Sequence, residues 1–161
     1  MTLVLYRIDD RLIHGQVVVG WGQPLEIGFI VLVDDEVATS DWEQELYRMG
    51  VPPEMDVYFH GSADAVAALP RYRGEPRRGI LVTGDIATMH RLVEKAGVDT
   101  VNLGGIHFRN GRAQRLRYVF LSPDEERELR AIEESGARVT AQDVPGAHPI
   151  PLNELLSKVE T

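Results

Sequence analysis

The chain has 161 residues, 43% hydrophobic and 26% charged, the balance of one soluble globular domain able to bury a core. It has no cysteine, which excludes disulfides, thiolate metal sites and a thiol nucleophile. Seventeen basic against 25 acidic residues give a net charge of −8, which argues against broad binding to nucleic acid or to an anionic membrane.

Strand and helix signals alternate along the chain. Thr2 to Ile8 is rich in β-formers and predicts a first strand. Gly28 to Val33 is a continuous apolar run, as expected of a strand covered on both faces. Val37 to Met49 has helical length and is stopped by Gly50 and Pro52-Pro53. Met55 to Phe59 predicts a strand, and Ser62 is expected to cap a helix ending near Pro70. Gly79 to Thr83 is the next strand, followed by a helix capped by Asp85, running to Lys95 and ended by Gly97. Val98 to Asn102, Tyr118 to Leu121 and Ala137 to Ala141 predict further strands. Ser122-Pro123 opens a helix with three acids in its first turn, which suits the helix dipole. Pro151 to Val159 predicts a terminal helix. Strands spaced by helices imply an α/β chain, a single domain over residues 1–161. The expected architecture is a three-layer α/β/α fold with a mainly parallel central sheet. No apolar run approaches the roughly 20 residues of a membrane span, and no leader pattern appears, so a cytoplasmic location is expected.

In such sheets function collects at the carboxyl ends of the strands. The loop after the first strand reads Arg7-Ile-Asp-Asp-Arg-Leu-Ile-His-Gly-Gln16. His14 lies just beyond the strand, and Gly15 precedes Val17-Val18-Val19, which looks like the start of a helix. A helix start offers amide N–H groups and positive potential to a phosphate, and Gly15 would allow close backbone approach. Arg11 can give bidentate bonds to phosphoryl oxygens, and Asp9 or Asp10 can orient the imidazole or an arginine. The group suits a histidine that accepts and passes on a phosphoryl group. Phosphate-loop, dinucleotide and nucleophile-elbow motifs are missing, and histidines 14, 60, 90, 107 and 148 show no ligand spacing. Neither a metal nor a cofactor is expected.

The run Arg7 to Val17 resembles the signature of the IIB component of the mannose/fructose/sorbose family of the bacterial phosphotransferase system. The likeness continues in Val33-Asp-Asp-Glu-Val-Ala38, in Val101-Asn-Leu-Gly-Gly-Ile-His-Phe-Arg109 and at Gly111, in the family's order. The resemblance implies an α/β protein that takes a phosphoryl group from a IIA phosphohistidine. It would carry the group on Nδ1 of His14 and deliver it to a sugar crossing the membrane through IIC and IID. Arg11 matches the family arginine that steadies the phosphoryl group. The implied activity is that of a protein-Nπ-phosphohistidine–sugar phosphotransferase, held at the inner membrane face by its partners. The other reading is a regulatory phospho-acceptor or binding module of an incomplete system, without sugar transport.

Several residues carry two readings at this stage. Gln16 supports the phosphate site with Asp9, Asp10 and Gly15. Asn102, Gly104 and Gly105 either approach the same pocket or form a tight turn for backbone reasons. Asp34 either contacts the pocket or caps the helix near Val37. Eight of the fifteen arginines lie in segments 71–78 and 109–117, which hold one acid; the other nine basic residues face 24 acids. These segments are either solvated loops or a ring around the site facing an acidic partner, with Arg109 and Arg112 the best placed. Thr83-Gly-Asp85 departs from the Thr-Asn-Pro-like turn common in relatives.

Overall fold

The apolar runs form the strands of one large sheet. In the computed structural model, which describes residues 2–157, β1 (Leu3–Ile8), β2 (Phe29–Val33), β3 (Asp56–His60), β4 (Gly79–Thr83), β5 (Thr100–Leu103) and β8 (Arg138–Ala141) pair in parallel. A two-residue β9 (Ile150–Pro151) adds antiparallel to β8. The order is β3-β2-β4-β1-β5-β8-β9. The mainly parallel sheet is as expected, and β9 takes Pro151 from the terminal helix.

β2 shows why such a run is apolar throughout. Phe29, Val31 and Val33 enter one core, while Ile30 and Leu32 enter the other. The first core is covered by α2 (Ser62–Arg73), α3 (Ile86–Ala96), α4 (Pro123–Glu134) and α5 (Leu152–Ser157). The second is covered by the stretch from Leu12 to Ile27, by a 3₁₀ turn at Val37–Thr39 and loosely by α1 (Asp41–Met49). The layers are therefore helix, sheet and helix.

Local chemistry sets the helix ends. Ser40 interrupts the expected Val37–Met49 helix: its extended backbone ends the 3₁₀ turn, and its side chain caps α1 through the Glu43 amide. Asp85 caps α3 through the Thr88 amide, and Gly97 ends it at φ 69°. Ser122 and Glu125 form a reciprocal capping box at the start of α4. α2 corrects two expectations. Its cap position is Gly61, and Asp35 accepts from the Ser62 amide at 2.7 Å. The helix also runs through Pro70 to Arg73, because buried Leu69 and Tyr72 hold its last turn in the core. The terminal helix is described as far as Ser157; Lys158 and Val159 lie outside the described residues.

The second arginine segment also differs from a plain loop. Ala113–Leu116 forms β6, antiparallel to β7 (Val119–Leu121), in a separate hairpin. Its half-buried pattern explains the pairing despite its charge.

β1 sits between β4 and β5. The chain leaves β1 for β2 on one side and leaves β5 for β8 on the other. The crevice beyond β1 and β5 is thus a topological switch point, where parallel sheets place their ligands.

Candidate functional site

A cleft of about 510 Å³ opens at that switch point, lined by Asp9, Arg11, His14, Gly15, Gln16 and Gly105. Ile106, His107, Arg117, Tyr118, Phe120 and Asp143 complete its wall. The first group follows β1, Gly105 and its neighbours follow β5, and Arg117 to Phe120 come from the hairpin.

Asp9 is fully buried and lies under the histidine. Its Oδ2 is 3.0 Å from His14 Nε2 and 3.3 Å from Arg7 Nε, and its Oδ1 accepts from the Arg11 amide at 3.1 Å. The Asp9–His14 approach is close but off the axis of a straight hydrogen bond, and Nε2 is shielded from solvent. Burial alone would raise the Asp9 pKa. His14, Arg7 and the Arg11 amide outweigh it, so the carboxyl is held below its ordinary value and stays charged. A carboxylate against Nε2 favours the proton there and leaves the lone pair on Nδ1. The loop carrying these groups turns at Leu12, which adopts φ 59°, an uncommon conformation for a branched residue; the Leu12 amide donates to the Asp9 carbonyl at 2.9 Å.

Arg7 holds the floor together. Its guanidinium is fully buried and donates to Asn102 Oδ1 at 2.5 Å, the Gln142 carbonyl at 2.9 Å and Gln16 Oε1 at 3.0 Å. It lies 5.3 Å from the Trp21 ring centre, a cation–π contact. Gly104 makes the arrangement possible, since a Cβ there would fall 2.4 Å from Arg7 Cζ. Gln16 in turn donates to Asp143 Oδ1 at 2.5 Å.

The segment after His14 is a π-helical stretch, Gln16–Trp21, and not the expected α-helical start. β-branched Val17-Val18-Val19 is a weak helix former, and Trp21 is pinned by its Nε1–H bond to the Asp143 carbonyl at 3.0 Å. The amides of Val17 and Val18 already donate to the His14 carbonyl, so they are not open to a ligand. At Gly15 a Cβ would meet only open space.

The sequence candidates thus separate. Asp9, Arg11, His14, Gly15, Gln16 and Gly105 share the cleft; Asn102 and Gly104 lie beneath it, in contact with Arg7. Asp10 turns from His14 to hold His107, accepting from its amide at 2.7 Å and meeting its Nδ1 at 2.6 Å. Asp34 caps the 3₁₀ turn through the Val37 amide at 2.9 Å and does not line the cleft. Arg112 is committed to both oxygens of Glu125, at 2.8 and 2.7 Å, and to the His107 carbonyl. Arg109 is exposed outside the cleft lining. Segment 71–78 precedes β4 at the amino ends of the strands, so it does not ring the site; Arg77 there pairs with Glu75 and Asp56. Among the described residues, no side-chain or backbone acceptor takes the Arg11 guanidinium, which faces the cleft.

Sequence reasoning missed Arg7, His107 and Asp143, and reached Arg117 only as one member of the 109–117 arginine segment. Arg7 carried one signal, a charge inside an otherwise apolar strand. The other three come together only through long-range packing.

A family model described as the PTS system sorbose subfamily IIB component matches residues 3–161. Over 151 residues the chain is 35% identical to the N-acetylgalactosamine-specific phosphotransferase enzyme IIB component 1 of Escherichia coli, across 90% of this chain and 92% of that one. It is 29% identical over 163 residues to the mannose-specific EIIAB component of the same organism, where 99% of this chain spans 50% of the longer protein. The crystal structure of manxB from Thermoanaerobacter tengcongensis superposes with a TM-score of 0.87 at 30% identity, over 97% of this chain and 95% of that one.

Proposed function

The chain belongs to the sorbose subfamily of IIB components of the sugar phosphotransferase system, and from that premise we propose that His14 is its phosphoryl carrier. It accepts the group from a phosphohistidine of a IIA component and gives it to a sugar handled by the IIC and IID membrane components. The observation that carries this reading is the buried Asp9 carboxylate 3.0 Å from His14 Nε2, inside a cleft that also holds Arg11, whose guanidinium has no acceptor among the described residues.

The chemistry follows from that geometry. The Nδ1 lone pair of His14 attacks phosphorus; the donor's N–P bond breaks and its electron pair returns to the donor ring. The new phosphoimidazole is positively charged with its proton on Nε2, where Asp9 balances it. No proton has to move in this step. In the second step a sugar hydroxyl attacks, the N–P bond breaks and the pair returns to Nδ1, while the hydroxyl proton leaves to a base or to water. Phosphoryl transfer asks mainly for positioning and for charge on the equatorial oxygens, and Arg11 supplies that charge without a metal. Among the described residues no helix is long and apolar enough to cross a membrane. The protein acts at the cytoplasmic face through its partners.

The test is phosphorylation by the general phosphocarrier protein together with a matched IIA component. The expected product is an acid-labile, base-stable phosphate, absent from His14→Ala. Arg11→Ala is an exposed loop change that keeps the circular dichroism spectrum and slows transfer by about 10²–10³. A wild-type chain that takes no label from any matched IIA, or a labelled His14→Ala, sinks the reading.

A further inference from the structure

α1 is oriented against its composition. Among the described residues of α1 none is buried. The Gln44 side-chain amide turns inward to the Val37 and Ala38 carbonyls at 3.0 and 3.2 Å, and Tyr47 rests half-buried on the second core. Trp42, Leu46 and Met49 stand 68%, 54% and 76% exposed. Their spacings of four and three residues put them in one stripe along the solvent face. Isolated exposed apolar residues need no explanation, but an aligned tryptophan, leucine and methionine form the kind of patch that marks an interface.

Two further features say what covers the stripe. At the carboxyl end of α1 lies a hollow of about 440 Å³ whose lining includes Arg48, Val51, Pro52, Pro53, Met55 and Tyr58. The helix is also charge-polarised, with Asp41 and Glu43 in its first turn, Glu45 at its middle and Arg48 in its last turn. Inside one copy the Arg48 guanidinium lies 5.0 Å from the Phe59 ring centre and reaches Glu45 at 4.0 Å, with both side chains of that ion pair half-exposed or more, so its charge is still open to a partner carboxylate.

We propose that a second copy of this chain packs on α1 about a twofold axis, with the two helices antiparallel and Trp42 of each copy seated in the hollow of the other. The antiparallel sense sets Arg48 beside the partner's Asp41 and the partner's Glu45, whereas a parallel pair would set acids against acids. It also carries Trp42, near the start of the helix, to the end where the partner's hollow lies. Knob and hole sit on the same surface, as a closed twofold contact requires. α1 rests against β3, the edge strand three places from β1, so the pairing leaves the His14 cleft open to donor and acceptor. Three exposed side chains and one hollow make a small contact, at the weak end of specific interfaces, so the dimer is concentration-dependent.

Sedimentation equilibrium of the full chain, from micromolar to near-millimolar protein, tests this. Wild type and His14→Ala should pass from monomer to dimer alike, which separates this inference from the carrier reading. Trp42→Glu, at an exposed position, should keep the circular dichroism spectrum and stay monomeric. Arg48→Glu should weaken association at least tenfold, and adding Glu45→Arg should recover part of the loss, the remainder being repulsion from Asp41. A wild-type chain monomeric throughout, or a Trp42→Glu chain that still dimerises, overturns the proposal. So does a monomeric wild type whose Trp42 emission shifts on phosphatidylglycerol vesicles, which would give the stripe to a membrane.

Discussion

Burial lowers the pKa of the Arg7 guanidinium from its ordinary value, and neighbouring Asp9 opposes that shift. A buried cation needs its partners in place, and the residue that lets them in is Gly104. Gly104→Ala should push the guanidinium off Asp9 and Asn102, costing about 1–3 kcal/mol. Urea unfolding measures that loss, and transfer to His14 should slow with it because Asp9 moves. An unchanged unfolding midpoint would show that the floor can absorb a methyl. At this scale the sequence was half legible. Asp9, Arg11 and His14 sit close together in one loop, so their meeting could be anticipated. The division of labour between Asp9 and Asp10 could not, because it depends on which side of the β1 end each side chain leaves. Arg7 was hidden for a related reason: one charge in an apolar strand looks like a strand end until the sheet shows acceptors from residues 102 and 142 around it.

Among the elements, the strands were readable wherever burial on both faces made them uniformly apolar, as in β2 and β4. β6 was not, because its residues Ala113-Gln-Arg-Leu116 are only part-buried and pair within a small hairpin. The hairpin is tied to α4 by Arg112–Glu125 and Arg115–Glu126. These bonds explain where the second arginine segment spends much of its charge. α4 itself was legible from Ser122-Pro123 and its acids. Ser122→Ala removes one half of the capping box and should lower stability by about 1 kcal/mol, read from the thermal midpoint. The transfer rate to His14 should not change, since Ser122 is outside the cleft lining; a slowed rate would mean that α4 governs the site.

For the molecule as a whole, the charge of −8 suggested little room for an anionic ligand. The structure resolves this by pairing: the cleft holds two acids as well, but Asp9 is engaged by Arg7 and Asp143 by Arg117, and among the described residues Arg11 keeps its guanidinium without an acceptor at the wall. The same ion pairs set the response to acid. Asp9 and Glu125 are both desolvated, which would raise their pKa values. Asp9 is nevertheless lowered by His14, Arg7 and the Arg11 amide, and Glu125 by Arg112 and Ser122. A folded pKa below the unfolded one gives stability that is present above the unfolded value and lost as pH falls through the folded one. The thermal midpoint should therefore fall below about pH 4. Asp9→Asn should start lower, by about 3 kcal/mol for stranding Arg7, and then decline less steeply. An identical slope in the two proteins would remove Asp9 from the acid response.

The contacts of Arg7 have a consequence for anyone who would cut the protein down. They join residue 7 to positions 9, 16, 102, 142 and 143, which span most of the sequence. A short peptide bearing the His14 loop would keep its imidazole but lose the contacts that hold Asp9 beneath it. The smallest fragment that retains the cleft floor must include everything from β1 to just past β8. In this chain the floor beneath a single imidazole sets a minimum size close to that of the whole fold.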